Sequence, residues 1–188
     1  GTAAITGSSV FSENGEYYAS GSAYYHYKNG EFVVSSLGTN CTALDISNDG
    51  VIFYTKKKST NDFEFHATDG SIELTNSSDY QAYVYPDSSK LIVTDKNNTY
   101  YFKKRNGKYI LEYQENKVRD ISDKSMIDEK NHRLYSGKSY FDLDLRVSVD
   151  LSIPNNVVCM DGDKVVFKSG ISNSRYIVYD LITNEQNI

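Results

Sequence analysis

The chain has no tryptophan, two prolines and two cysteines among its 188 residues, and no apolar run nears the roughly 20 residues a membrane-spanning helix needs. Each shortage excludes something. Two cysteines cannot build a disulfide framework, and because Cys41 and Cys159 fall in repeat units that are not neighbours, two free thiols are expected. Basic residues are outnumbered 20 to 25, for a net charge of −5. Nucleic acid and anionic membrane surfaces, which need clustered Lys and Arg, are excluded as partners, as is insertion of this domain into a membrane. Lys56-Lys57-Lys58 is the one sizeable basic run, and with acids close on both sides it reads as a solvated loop.

Tyrosine, by contrast, is abundant: 17 Tyr and 8 Phe place much of the apolar area on rings, most of which keep one polar edge. Around them the sequence repeats. Residues 42–74 give the clearest copy: a short apolar run at 43–46, the turn Asn48-Asp49-Gly50, a run rich in β-branched and aromatic residues at 51–55, and a polar loop. An alternating run at 63–66, the turn Thr68-Asp69-Gly70 and a last run at 72–74 complete it. Four strands joined by tight turns are expected from that pattern. The same pattern begins at Ser9, passes through Glu13-Asn14-Gly15 and Lys28-Asn29-Gly30, and recurs after Gln81 through Pro86-Asp87-Ser88. It is looser from Ser125 and shortest from Val157.

The second strands begin at Tyr17, Val51, Leu91, Leu134 and Val165, a spacing of about 37 residues, which suits four-stranded repeat units. Helical solenoids share that period but need amphipathic stretches of ten or more residues, and none is present. Both prolines lie between strands, where a missing N–H costs nothing. The fifth unit supplies three obvious strands. The short run at 2–6 is then expected to complete it by pairing with 176–180, closing the ring and leaving no free sheet edge. The expected fold is a single all-β domain over residues 1–188, a five-bladed β-propeller of four-stranded antiparallel blades closed by the N-terminal strand, and a monomer.

The turns Ser12-Glu13-Asn14-Gly15-Glu16, Ser47-Asn48-Asp49-Gly50-Val51 and Tyr85-Pro86-Asp87-Ser88-Ser89-Lys90-Leu91 resemble the Ser-Pro-Asp-Gly-Lys turn of WD-repeat and TolB-like propellers. There is no Trp-Asp dipeptide and no Gly-His pair. The bias toward Lys, Asn, Ser and Tyr, with segments such as Asp161-Gly162-Asp163-Lys164-Val165, is similar to propeller-like extracytoplasmic domains of membrane-anchored proteins in Gram-positive bacteria. That resemblance implies an extracellular or cell-surface location and recognition of a ligand or partner, with no reaction.

Catalytic groups are sparse. Of the inner strands only one brings a carboxylate, Asp45, and Ser9, Val84, Met126 and Val157 are poor acids, bases or nucleophiles. No Gly-x-Ser-x-Gly turn or phosphate-binding glycine loop occurs, so no enzyme activity and no cofactor are expected. His26 and His66 each stand four residues before a turn glycine, with Lys103 in the same place, and read as equivalent solvent-facing positions without a metal. Binding is left. The loops that join second to third strands, and those that join units, share one face of a propeller. On that face Asn61, Asn97, Asn98 and Asn173, with Tyr80, offer donors, acceptors and a flat ring for a glycan or an extended peptide. The alternative is a rigid scaffold for protein interaction within a larger surface protein.

Overall fold

The computed structural model describes residues 9–77, 79–169 and 175–187. The chain divides into two compact units, Gly1–Arg119 and Asp120–Ile188. The first holds three four-stranded antiparallel sheets, each a simple meander in chain order. The first sheet is β1 (Ser9–Phe11), β2 (Tyr17–Ser20), β3 (Ala23–Lys28) and β4 (Glu31–Ser36). β5 (Cys41–Ile46), β6 (Ile52–Ser59), β7 (Asp62–Ala67) and β8 (Glu73–Ser77) make the second. The third is β9 (Gln81–Val84), β10 (Lys90–Thr94), β11 (Thr99–Arg105) and β12 (Lys108–Glu115).

The turn from first to second strand is built alike in all three. The carbonyls of Ser12, Ser47 and Tyr85 accept the N–H groups of Gly15, Gly50 and Ser88 at 3.0, 3.0 and 2.8 Å. Those acceptance geometries put Gly15, Gly50 and Ser88 in the left-handed region, at φ +73°, +81° and +60°. Glycine enters that region without strain. Ser88 stays there with its hydroxyl donating to Asp49 Oδ1 at 2.7 Å and its carbonyl accepting from the Tyr109 hydroxyl at 2.8 Å.

Consecutive sheets of this unit stack face to face. Val10, Ala19 and Tyr24 of the first pack on Ala43, Ile46 and Ile52 of the second. The other face of the second, with Phe53, Phe65 and Ala67, packs on Ala82, Val84, Leu91, Val93 and Phe102 of the third. Alternation of side chains along each strand makes this possible, because one strand serves two cores. Leu44 is an extra residue in β5, where Ala43 opposes Tyr54 and Asp45 opposes Phe53. Such a bulge re-aims the end of the strand, and Asp45 is wholly buried there. Its Oδ1 accepts the Ile46 N–H at 2.9 Å and its Oδ2 the Val84 N–H at 2.8 Å, tying β5 to β9 across the two sheets. Asp45 is thus a tie between sheets, and it is not the one inner-strand carboxylate that the sequence suggests, since Asp128 ends β13 and Asp161 ends β17.

The second unit opens with a one-turn 3-10 helix, Lys124–Met126, capped by Asp123, whose carboxylate accepts the Ser125 N–H at 3.0 Å. Its fourth sheet is β13 (Ile127–Asp128), β14 (Arg133–Ser136), β15 (Ser139–Asp142) and β16 (Val147–Asp150). Its fifth is β17 (Val157–Asp161), β18 (Lys164–Lys168), β19 (Tyr176–Asp180) and β20 (Gln186–Asn187). Tyr135, Leu151, Ile153, Val157, Val165 and Phe167 form the core between the two. The chain is therefore all-β, with five four-stranded sheets.

Three expectations need correction. The fourth strand of the fifth sheet is β20, whose Gln186 and Asn187 pair with Tyr179 and Val178. Residues 2–6, expected to complete this sheet, lie outside the described residues. The basic run is not a loop, since β6 continues to Ser59 and carries Lys56, Lys57 and Lys58 as an exposed stretch of strand. His26 and His66 are not equivalent. His26 opposes Tyr17 and Lys103 opposes Lys90, each two residues past the left-handed turn residue, whereas His66 opposes Tyr54, further along its strand. The hairpins differ in length, β3 to β4 turning on Asn29-Gly30 alone and β7 to β8 on residues 68–72.

Candidate recognition cleft

In the first unit, three segments far apart in sequence meet beside the β10–β11 turn. Asp79, Tyr80 and Gln81 lead into β9, Thr94, Asp95 and Lys96 leave β10, and Val118 follows β12, and together they line a half-open cleft of about 420 Å³. The β10–β11 turn is held by one carboxylate. Asp95 Oδ1 accepts the N–H groups of Asn97 and Asn98, both at 2.8 Å, and the Asn98 side-chain amide at 3.2 Å. Asp95 Oδ2 takes the Tyr100 hydroxyl at 2.7 Å. Burial works to raise the Asp95 pKa, but the bonds from Tyr100, Asn97 and Asn98 outweigh it and keep the carboxyl below its usual range.

The other walls are fixed as firmly. Tyr80 is buried, with its ring 5.7 Å from that of Phe65 in the core between the second and third sheets. Burial first, then the negative charge of Asp95, pushes its phenol up to about 12, so it stays a neutral donor. Behind Val118, Thr99 Oγ1 donates to the Lys117 carbonyl at 2.7 Å and accepts the Arg119 N–H at 2.9 Å. Arg119 makes two bonds to Glu115, at 2.7 and 2.9 Å, and the Tyr101 hydroxyl donates to the same carboxylate at 2.6 Å. Such a fork is the strong form of charge-assisted bond. The cleft therefore offers two carboxylates, an ammonium, an amide and the Val118 side chain on a rigid frame, with Thr94 and Tyr80 in the lining but almost wholly buried.

The predicted residues fall unevenly around it. Tyr80 is in the lining. Asn97 and Asn98 sit on the turn that forms one wall, but the Asn98 amide is engaged with Asp95 and with the Tyr100 hydroxyl at 3.2 Å, and its carbonyl accepts from Gln114 at 3.4 Å. Asn61 stands on the exposed two-residue turn between β6 and β7, beside Asp62, whose charge reaches the Tyr80 hydroxyl. Asn173 lies outside the described residues. Sequence reasoning missed Asp79, Gln81, Thr94, Asp95, Lys96 and Val118. An Asp three residues before an Asn in a polar turn was the one available signal, since that spacing lets the carboxylate bond the turn's own backbone.

A second cleft, of about 390 Å³, lies in the second unit between the fourth and fifth sheets. Its centre is Arg133, whose guanidinium lies 4.9 Å from the Tyr140 ring and donates to Asp163 at 3.0 Å. The charge of Arg133 is felt at Tyr135, yet the buried Tyr135 hydroxyl makes no hydrogen bond of good geometry. Here the cation is already engaged by the protein's own carboxylate. Among the described residues of either unit no cluster of three or more His, Cys, Asp and Glu gathers. No protein-family model matches the chain, and no curated protein matches it.

Proposed function

We propose that the five sheets are blades of a propeller of the WD-repeat and TolB-like type and that the chain is a non-catalytic, extracytoplasmic recognition module. Its ligand is a glycan or an extended peptide, bound at the cleft beside Tyr80 and Asp95. The observation that carries this reading is the cleft's mixture of accessible groups: Val118 as an apolar contact, with Asp79, Gln81 and Lys96 around it and the buried Tyr80 and Thr94 completing the lining. Sugars present that combination of apolar ring face and hydroxyl rim, and peptides present it along an extended backbone. Asp95 supports the reading because an ionised acceptor held in place by the turn loses little freedom when a ligand hydroxyl or amide arrives.

A melting scan against cell-wall glycans, simple sugars and peptides tests it. A ligand at 100 times its Kd adds about 2.7 kcal/mol, which raises Tm by roughly 2–4 °C for a domain of this size. The shift should disappear in Gln81→Ala and Lys96→Ala and weaken in Asn61→Ala and Asn97→Ala. A shift that survives the first two places the ligand elsewhere, and no shift across the panel sinks the glycan and peptide reading.

A further inference from the structure

The carboxylates of the cleft beside Tyr80 carry charge with no cation set against it among the described residues. Elsewhere in the first unit, Glu64, Asp69, Glu112 and Glu115 each have a Lys or Arg nitrogen within 3.1 Å, from Lys58, Lys104, Arg105 and Arg119. The bonds to Asp95 come instead from the Asn97 and Asn98 backbone, the Asn98 amide and the Tyr100 hydroxyl, all neutral donors. Neutral donors keep a carboxylate ionised without cancelling its charge. Asp79 is exposed on the same lining, its backbone fixed by the Ser77 hydroxyl, which donates to the Asp79 carbonyl at 3.0 Å. Lys96 lines the cleft with them, yet among the described residues no ion pair joins it to either carboxylate.

Charge is not all that goes unmatched there. Tyr80 and Thr94 are 5% and 2% exposed in the lining, and no other described residue bonds either hydroxyl. Polar groups so deeply buried almost always have a partner. The charges of Asp95 and Asp62 both bear on the Tyr80 hydroxyl, which places that oxygen inside the same negative field. Two unengaged hydroxyls, the Gln81 amide and two carboxylates thus border one space.

An ammonium group matches that set. It has three N–H donors and no acceptor, so it needs oxygens on several sides and negative charge nearby. A carboxylate or phosphate would meet like charge at Asp79 and Asp95, and a neutral hydroxyl would leave both charges uncompensated. We propose that the cleft is selective for a ligand bearing a primary ammonium group, seated between Asp79 and Asp95 with the Tyr80 and Thr94 hydroxyl oxygens as its further acceptors. Lys96 is left for a carbonyl or hydroxyl of the rest of that ligand. An amino sugar carries such a group, and so does the lysine side chain of a peptide. This inference rests on the cleft being the ligand site, and it narrows what the site takes.

Isothermal titration calorimetry of the 188-residue chain tests it with two matched pairs: a glucosamine oligosaccharide against its N-acetylated form, and a lysine peptide against its acetyl-lysine form. Acetylation removes the charge and keeps the rest of the ligand. One of the amines should bind, and its acetylated counterpart should bind roughly tenfold more weakly, as expected for the loss of one charged hydrogen bond. The pair that responds identifies the source of the ammonium. Asp79→Asn should weaken the amine by a similar factor and Tyr80→Phe, which keeps the buried ring, by a smaller one, with circular dichroism verifying that both variants are folded. Acetylated forms that bind as tightly as the amines overturn the inference and leave the cleft a glycan or peptide site. Amine binding that both variants leave unchanged also overturns it. If neither amine binds, the inference fails, and the acetylated ligands decide the cleft itself: binding by either keeps it as a site, whereas binding by neither, with no shift in the melting scan, sinks both readings.

Discussion

Gly50 and Gly15 occupy the same turn position, yet their surroundings differ. Both have left-handed backbones, but a Cβ on Gly15 meets open space, whereas one on Gly50 falls 2.5 Å from Cε1 of Tyr17. Tyr17 is not free to swing, because it stacks on His26 at 4.3 Å and packs into the core between the first and second sheets. Gly15→Ala should therefore cost about 1 kcal/mol, the strain of a left-handed alanine. Gly50→Ala should cost about 2–3 kcal/mol, since a well-packed ring must be displaced as well. Urea unfolding of the two variants reads the difference directly. Equal losses would mean that Tyr17 moves aside at no cost. The turn glycines were legible from sequence. The ring above one of them was not, because Tyr17 comes from the preceding sheet.

Strands in this chain are marked by alternation and turns, and most of them could be read before any coordinates. β20 escaped because Gln186 and Asn187 are polar and two residues long, with no alternation to betray them. β6 was cut short because Lys56, Lys57 and Lys58 look like loop residues until their pairing with β5 and β7 is known. Asp45 shows what pairing adds. Sequence marks it as an isolated carboxylate, and the bulge at Leu44 delivers it to the Val84 N–H on the next sheet. Asp45→Ala leaves that amide buried without its acceptor, and the loss should be about 3 kcal/mol in urea unfolding. Hydrogen exchange at the Val84 amide should accelerate in the variant. If stability and exchange both stay unchanged, the two sheets are held by apolar packing alone.

At the scale of the molecule, Tyr80, Tyr83, Tyr85, Tyr101, Tyr109 and Tyr135 are all buried, and that sets the alkaline limit of the fold. Burial first, then nearby acidic charge, pushes the Tyr80 and Tyr100 phenols up to about 12, and Tyr101 and Tyr109 are also raised, chiefly by burial. Unfolded tyrosine ionises near pH 10. A group whose folded pKa lies above its unfolded value contributes stability in full below pH 10, and that contribution is lost as pH rises through the folded value. Phenolate absorbance should therefore remain incomplete at pH 11 while the far-ultraviolet dichroism is intact. The remainder should ionise together with loss of the dichroism. Full ionisation with the sheets still formed would show that these hydroxyls are open to solvent.

By itself the sequence determined the class and the count: Asn-Gly and Asp-Gly turns between alternating apolar runs leave the backbone few choices besides hairpins, and a period of about 37 residues divides them into five units. Tertiary structure alone decided the sites. Asp79, Asp95 and Val118 belong to three separated loops, and polar loop residues look alike until packing selects which of them share a cleft. Whether an apolar strand residue is buried likewise depends on what lies on its sheet, and that is fixed by contacts between distant segments, which local sequence pattern does not encode.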